Sequence, residues 1–218
     1  MKSTTKKPAR SQQRSVETRG AILEAAARIF ADEGLAGART EAIAAAAGVN
    51  KALLYYYFKD KESLYVAVVE DHFSKFNADA IEVLTAPGSA RTILLQYAGM
   101  HFDFIASRMR YAPLYQQLMT NGGKPLKHLV HKFFVPRSEA LYRLLERGMR
   151  SREFRRADLM HTSVSIAGVT VFYFSAAPVL KQLGRVDAYS KATLKRRRKE
   201  MLDFIRHGLF LKPDAPLT

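Results

Sequence analysis

The sequence predicts an all-α fold in which an N-terminal three-helix helix-turn-helix domain precedes a larger C-terminal helical domain. Apolar residues recur at helical spacing along most of the 218-residue chain, and no alternating strand pattern is visible. Pro87-Gly88-Ser89 is the clearest break between helical segments. A chain of this length holds either one sizeable core or a small domain and a medium one, and we prefer two domains.

Composition favours a nucleic-acid partner in a reducing compartment. The net charge is +15, and basic side chains displace counterions from phosphates. There is no cysteine, which excludes disulfides and thiolate zinc sites and fits the cytoplasm, where we expect this protein. The first 15 residues lack the apolar stretch of a secretory signal.

Residues 1–16 predict a disordered basic arm, because they are polar and contain no acidic residue. The first helix is expected from Glu17 to Gly34, with its apolar residues at helical spacing. Residues 17–66 hold six Lys or Arg against seven Asp or Glu, so DNA affinity must come from placed donors and the arm. The basic residues of the arm are Lys2, Lys6, Lys7, Arg10 and Arg14.

Residues 39–62 predict a helix-turn-helix. The first short helix has Ile43 and Ala44 on one face, with a small side chain where the second helix crosses. Gly48 supplies the left-handed residue at the turn. Asn50 then caps a second helix whose buried face is Leu54 and Phe58, and the others point outward. These outward residues are Lys51, Ala52, Leu53, Tyr55, Tyr56 and Tyr57.

A fourth helix is expected from Asp60, its cap, to about Leu84. We place the domain boundary between residues 66 and 67, so that 17–66 bind DNA and 67–218 form the larger domain. The helices predicted beyond the break are 89–107, 111–120, 125–150, 155–183 and 188–211. Pro136 and Pro178 fall inside two of these helices, where we expect a kink or a split.

Leu159–Leu180 contains 22 residues without a charged side chain, long enough to cross a bilayer. Its several hydroxyl-bearing residues, its basic flanks on both sides and its isolation in the pattern argue against a membrane span. We favour a helix buried against its own domain and against a second subunit. The homodimer would therefore form through the helices near 158–180 and 188–211.

The excess of arginine at 137–156 and the basic run within 185–199 are interpreted as solvated helix faces. His128 and His131 are spaced to share a metal, but no third ligand is suitably placed, so we expect neither a metal nor a cofactor. No catalytic motif is visible, and we do not expect an enzyme.

The region from about Arg19 to Val69 resembles the DNA-binding domain of TetR-family transcriptional regulators. The resemblance covers about a quarter of the chain, and the rest is similar only in length and helical character. It rests on Gly34, Thr40, Ile43-Ala44, Ala47-Gly48-Val49, Leu54-Tyr55, Phe58, Lys61-Glu62 and Leu64.

The resemblance implies roles for the outward residues. Lys51, Ala52, Leu53 and Tyr56 occupy positions that face base edges in such domains. Thr40, Tyr55, Tyr57 and Lys61 occupy positions that usually contact the phosphate backbone. Glu41 is a departure that either accepts from a cytosine amine or lies in solvent.

A ligand cavity in the larger domain is a second implication of the resemblance. Phenylalanine and methionine line adaptable cavities, although most of these residues must also form the core. His101 and Tyr173 are polar groups that could orient a ligand. The candidate ligand-binding residues are Met100, His101, Phe104, Met119, Phe133, Phe134, Phe172 and Tyr173.

We therefore expect a homodimeric, sequence-specific regulator that binds double-stranded operator DNA, a repressor released by a small, largely apolar effector. Two alternatives stay open: a ligand-independent dimeric DNA-binding protein, and a helical enzyme or carrier that uses the apolar pocket.

Overall fold

The computed structural model describes residues 10–108, 120, 123–184 and 187–216. The first of two compact units contains α1 (Arg10–Gly37), α2 (Thr40–Ala46) and α3 (Lys51–Tyr57). The next helix, α4 (Lys61–Thr85), starts in this unit and leaves it after His72, and Pro113–Pro125 also belong to the unit. The division therefore falls inside α4, a few residues beyond the predicted boundary.

Helix α1 begins earlier than predicted. Residues 10–16 are helical, so the expectation of a disordered arm was wrong for them, and residues 1–9 lie outside the described part. Gln, Arg and Glu are good helix formers, and a packed helix extends into such residues without needing to bury them. At Gly34 (φ 72°, ψ 173°) the regular helix is interrupted, as predicted, before a last turn to Gly37.

The core of the first unit joins α1 to α4. Ile22 and Phe30 are fully buried on α1, and the Phe30 ring meets the edge of Tyr65 at 5.2 Å. Asp60 caps α4 as predicted, because its Oδ1 accepts from the Ser63 backbone N–H at 2.7 Å. These contacts fix both helices around the helix-turn-helix.

The second unit begins at Phe73. After α4 it contains α5 (Ala90–Ala106), α6 (Gly123–Leu129) from Leu126 onward, a π-helical turn (Val130–Phe134), α7 (Val135–Arg150), α8 (Leu159–Gln182) and α9 (Lys191–Leu209). Helix α5 packs against α7, α8 and α9. The all-α prediction is confirmed, while most of the predicted helix at 111–120 lies outside the described residues.

The two internal prolines behave differently. Before Pro136 the chain forms the π-helical turn, closed by the Val135 N–H on the carbonyl of Val130. Proline has no N–H to continue the regular ladder, so a split in this segment is the expected response. Helix α8 runs through Pro178 as one element, so of the predicted kink or split, the split does not occur there.

The ends of α7 and α9 are joined by a short antiparallel bridge between Phe154 and Phe210, whose rings stack at 5.3 Å. A Cβ on Gly148 would lie 2.2 Å from the Phe154 ring, so only glycine fits there. The Glu153 carboxylate accepts from Ser89 Oγ at 2.6 Å and from the Arg91 backbone N–H at 3.1 Å. This contact ties the start of α5 to the bridge.

Candidate functional site

Helix α3 is held at its start and along its buried face by the contacts that the sequence predicted. Gly48 adopts φ 68°, and the Val49 N–H reaches back to the Ala44 carbonyl at 3.0 Å. Asn50 Oδ1 accepts from the Leu53 N–H at 2.7 Å, which satisfies a free donor at the helix start. Leu54 is fully buried, so the opposite side of α3 faces outward.

The outward side of α3 carries large aromatic groups at the surface. Tyr56 is 79% exposed, and Tyr55 and Leu53 are also exposed. Lys51 and Ala52 are exposed as well. An exposed tyrosine offers a flat apolar ring and a hydroxyl that can donate or accept, which suits base edges and phosphates alike.

Tyr57 is half-buried, and it contacts the helix before the motif. Its hydroxyl lies 3.0 Å from Ser15 Oγ, and its ring meets Tyr56 edge-on at 5.3 Å. Ser15 belongs to the segment predicted to be disordered. The helical extension of α1 therefore supports the orientation of Tyr57.

A chain of polar contacts links α2 to α3 beside the exposed face. The Lys51 ammonium donates to the Glu41 carboxylate, and this hydrogen bond lowers the pKa of Glu41 and raises that of Lys51. Thr40 Oγ1 lies 3.4 Å both from Glu41 Oε2 and from the Tyr55 hydroxyl. Glu41 is thus exposed but ion-paired, and it holds Lys51 at the start of α3.

Lys61 has a structural role at the start of α4. Its ammonium donates to the carbonyl oxygens of Ala36 at 3.2 Å and Ala38 at 3.1 Å, where α1 ends. A lysine ammonium has three donors, so one remains for another acceptor. No pattern in the sequence indicated these carbonyl contacts.

In the second unit, several candidate ligand residues form one aromatic cluster around Phe73 and Phe76. Phe104 stacks on Phe76 at 4.3 Å, and His101 stacks on the same ring at 5.2 Å. Phe133 and Phe134 lie 6.3 Å and 5.7 Å from the Phe73 ring. The structure therefore brings together His101, Phe104, Phe133 and Phe134.

The other candidate ligand residues are placed differently. The prediction for Phe172 was wrong, because this side chain is 70% exposed on the outer face of α8. The Tyr173 hydroxyl donates to the Ala188 carbonyl at 2.6 Å, away from the cluster. Met100 is half-buried on α5, and Met119 lies outside the described residues.

Arg137 is the residue that the sequence interpretation missed. We interpreted the arginines at 137–156 as a solvated face, but Arg137 is only 8% exposed. It lies on one stripe with Ala140, Leu141 and Leu144, all buried. The i, i+3, i+4, i+7 spacing of these four residues indicates a buried helix face. Arginine is usually found on the solvent-exposed face, so this position was not assigned to the core.

Helix α8 has one buried stripe and one exposed apolar stripe. The buried stripe includes Ile166, Thr170 and Phe174. By its length and composition α8 could span a membrane. One such helix is only weak evidence for a membrane protein, because core helices of soluble proteins meet the same criteria. The exposed stripe follows intervals of three, four or seven residues, apart from the adjacent Val171 and Phe172, and consists of Met160, Val164, Gly168, Val171, Phe172, Val179 and Leu183.

Two family models match the chain. Residues 22–68 match the model described as bacterial regulatory proteins, tetR family, and residues 91–205 match a tetracyclin repressor-like C-terminal domain. The second match alone covers more than half of the chain.

Known proteins similar to the chain are also regulators. The transcriptional repressor NicS of Pseudomonas putida is 26% identical over 194 residues, 86% of this chain and 90% of NicS. The regulator RutR of Escherichia coli is 53% identical, over 22% of this chain and 23% of RutR.

Solved structures share the fold at low identity. FadR of Bacillus subtilis, in complex with stearoyl-CoA, superposes with a TM-score of 0.68 at 20% identity, covering 84% of this chain and 97% of FadR. The ketosteroid regulator KstR2 of Mycobacterium tuberculosis superposes with a TM-score of 0.71 at 18% identity, covering 88% of this chain and 94% of KstR2. With both family models matched, the chain belongs to the TetR family and is a DNA-binding transcriptional regulator.

Proposed function

We propose that the protein is a homodimeric repressor that binds its operator through α3 and is released when a small, largely apolar ligand binds the second unit. The observation that carries this proposal is the exposed tyrosine face of α3 on a helix anchored by Asn50 and Leu54. The similarity to NicS, named as a repressor, supports the direction of regulation.

On DNA, we assign base contacts to Lys51, Ala52, Leu53 and Tyr56, which are all exposed on α3. The ammonium of Lys51 is held by Glu41 in the free protein, so a base acceptor must compete with that carboxylate. Leu53 offers only apolar contact, for example with a thymine methyl.

We assign phosphate contacts to Thr40, Tyr55, Tyr57 and Lys61. The remaining donor of Lys61 lies at the start of α4, where free backbone amides also favour an anion. Tyr57 would donate to a phosphate from a ring that Ser15 helps to orient. These contacts fix the position of α3 and carry no sequence preference.

Dimerisation through α8 and α9 is supported by their exposed apolar residues. Val164 and Phe172 on α8 are 63% and 70% exposed, and Phe204 on α9 is 66% exposed. The small residue Gly168 lets a second helix approach closely. A twofold partner places two α3 helices in successive major grooves, about 34–36 Å apart.

Ligand control is assigned to the aromatic cluster around Phe76. FadR is described in complex with stearoyl-CoA, a molecule with a long apolar acyl chain and a charged coenzyme A portion, and KstR2 is described as a ketosteroid regulator. A ligand releases DNA if it binds a state with a different separation of the two α3 helices more tightly than it binds the DNA-binding state. The difference in binding free energy must be a few kcal/mol. Helix α4 begins in the first unit and ends in the second, so we assign it the transmitting role.

The protein acts in the cytoplasm on this proposal, as a regulator and not an enzyme. Selection of bound sequences from random DNA tests its DNA-binding part. We expect a palindromic site whose half-sites are about 10 bp or a multiple apart. Tyr56→Ala should alter the recovered site, whereas Tyr189→Ala, an exposed tyrosine of the second unit, should not. Recovery of single half-sites by a monomer would refute the dimeric mechanism.

A further inference from the structure

Arg137 is buried in the second unit between aromatic rings and lacks an anionic partner there. Its Cζ lies 5.4 Å from the ring centroid of Phe76 and 5.0 Å from that of Phe134. Its Nη1 is fully buried and donates to no acceptor among the described residues. The two rings provide cation–π attraction, but they leave this N–H group without a hydrogen bond.

The segments that the structure leaves undescribed contain no Asp or Glu. All 20 Asp and Glu residues lie in the described part, where none forms an ion pair with Arg137. In particular, the sequence has no acidic residue between Asp103 and Glu139. An arginine stays protonated in proteins, and an isolated buried charge is strongly unfavourable.

The polar neighbours of Arg137 are neutral. The ring of His101 stacks between Phe76 and Tyr97, at 5.2 Å and 6.0 Å. Desolvation and then the charge of Arg137 lower the pKa of His101 to about 3. Burial raises the pKa of Tyr97, so its hydroxyl keeps its proton as well. The cluster thus has one buried positive charge, two neutral polar groups and an apolar wall. Two cations that are more exposed lie over its outer rings, Arg108 over Phe104 at 4.6 Å and Lys132 over Phe133 at 5.5 Å.

We propose that Arg137 receives the carboxylate of the effector, which is a monocarboxylic acid with an apolar body. This inference rests on the proposed ligand-controlled function and adds the chemical class of the ligand. A guanidinium matches a carboxylate with two parallel hydrogen bonds, and a single negative charge balances the single positive one. A dianionic phosphate would leave a buried negative charge, whereas the rings of Phe73, Phe76 and Phe104 suit an aryl or alkyl body.

The test compares acids with their uncharged amides. Benzoate, 4-phenylbutyrate and decanoate are titrated by calorimetry against the full-length protein, each beside its primary amide. For at least one acid, we expect a dissociation constant lower than that of its amide by a factor of about ten or more. Arg137→Met should abolish this preference, and Arg143→Met, an exposed arginine on the same helix, should keep it.

Thermal unfolding without ligand gives a second readout. Arg137→Met should unfold at a higher temperature than the wild type, because it removes an unpaired buried charge. If Arg137→Met does not fold, Arg137→Lys is used in its place. This variant should bind the acids more weakly than the wild type does and should bind the amides with unchanged affinity.

The proposal is overturned if no acid binds, if acid and amide bind equally, or if the preference survives the loss of Arg137. Operator release is measured separately on the same proteins. An acid that binds at Arg137 without releasing DNA would refute the ligand-controlled function, but it would still support the carboxylate site. Release by neutral compounds alone refutes the site and leaves that function intact.

Discussion

Phe172→Glu should convert the dimer into a monomer if the exposed stripe of α8 is the subunit interface. Phe172 is 70% exposed, the most exposed large apolar side chain of that stripe. Because it contributes nothing to the buried stripe of Ile166, Thr170 and Phe174, the variant should fold as well as the wild type.

The size of the effect follows from the exposed area. A buried phenylalanine covers about 200 Å², so 70% exposure leaves about 140 Å² for a partner. At about 25 cal/mol per Å², this area is worth about 3.5 kcal/mol in each subunit. Such a loss weakens association about 300-fold per copy, and the twofold axis places the change in both copies.

Sedimentation velocity at increasing protein concentration measures the dissociation constant. We expect it to rise by at least about two orders of magnitude, with unchanged helical circular dichroism. Operator affinity should fall in parallel, since one half-site is lost. Val135→Glu, a change at an exposed apolar residue of α7, is the matched control. A Phe172→Glu protein that stays dimeric over the same concentrations would refute the assignment of this face.

Three further predictions concern the DNA-binding motif and the acid dependence of folding. Asn50→Ala removes the cap on the Leu53 N–H and should lower the free energy of unfolding by about 1 kcal/mol in urea titrations; an unchanged midpoint would argue against the cap. Lys61→Ala should weaken binding to all DNA sequences and reduce the salt slope by about one, whereas Tyr56→Ala should change the preference among sites; equal effects on cognate and random DNA would contradict these roles. Burial raises the pKa of Glu153, but its hydrogen bonds outweigh this and hold it below the usual 4.5, so Glu153 stabilises the fold above that pH. The melting temperature of Glu153→Gln should therefore lie below that of the wild type at neutral pH. The gap should close only as the solution is acidified below pH 4.5, through the lowered pKa of Glu153; a gap independent of pH would count against this account.

Local chemistry made the helix-turn-helix predictable. Gly48, Asn50 and Leu54 act through the chain next to them, by a positive φ, a cap and a buried face, and each was expected before the structure. The helix at 10–16 was missed because good helix formers without an apolar stripe resemble a disordered segment in sequence.

Contacts between distant residues were beyond the sequence. Lys61 binds carbonyl oxygens some 25 residues earlier, and only the packing of α4 beside the end of α1 brings them together. Phe172 was predicted to line a ligand site because phenylalanine and methionine line the adaptable cavities that the family resemblance implies. The direction of its side chain depends, however, on which side of α8 meets α5.

The sequence by itself determined the helical class, the recognition helix and its family, because these depend on periodicity, caps and turns that neighbouring residues create. The tertiary structure alone decided that Arg137 is buried beside Phe76 and that Phe172 is exposed. Periodicity shows that a helix has two faces, but only the packed elements show which face meets the core and which charges are left there without a partner.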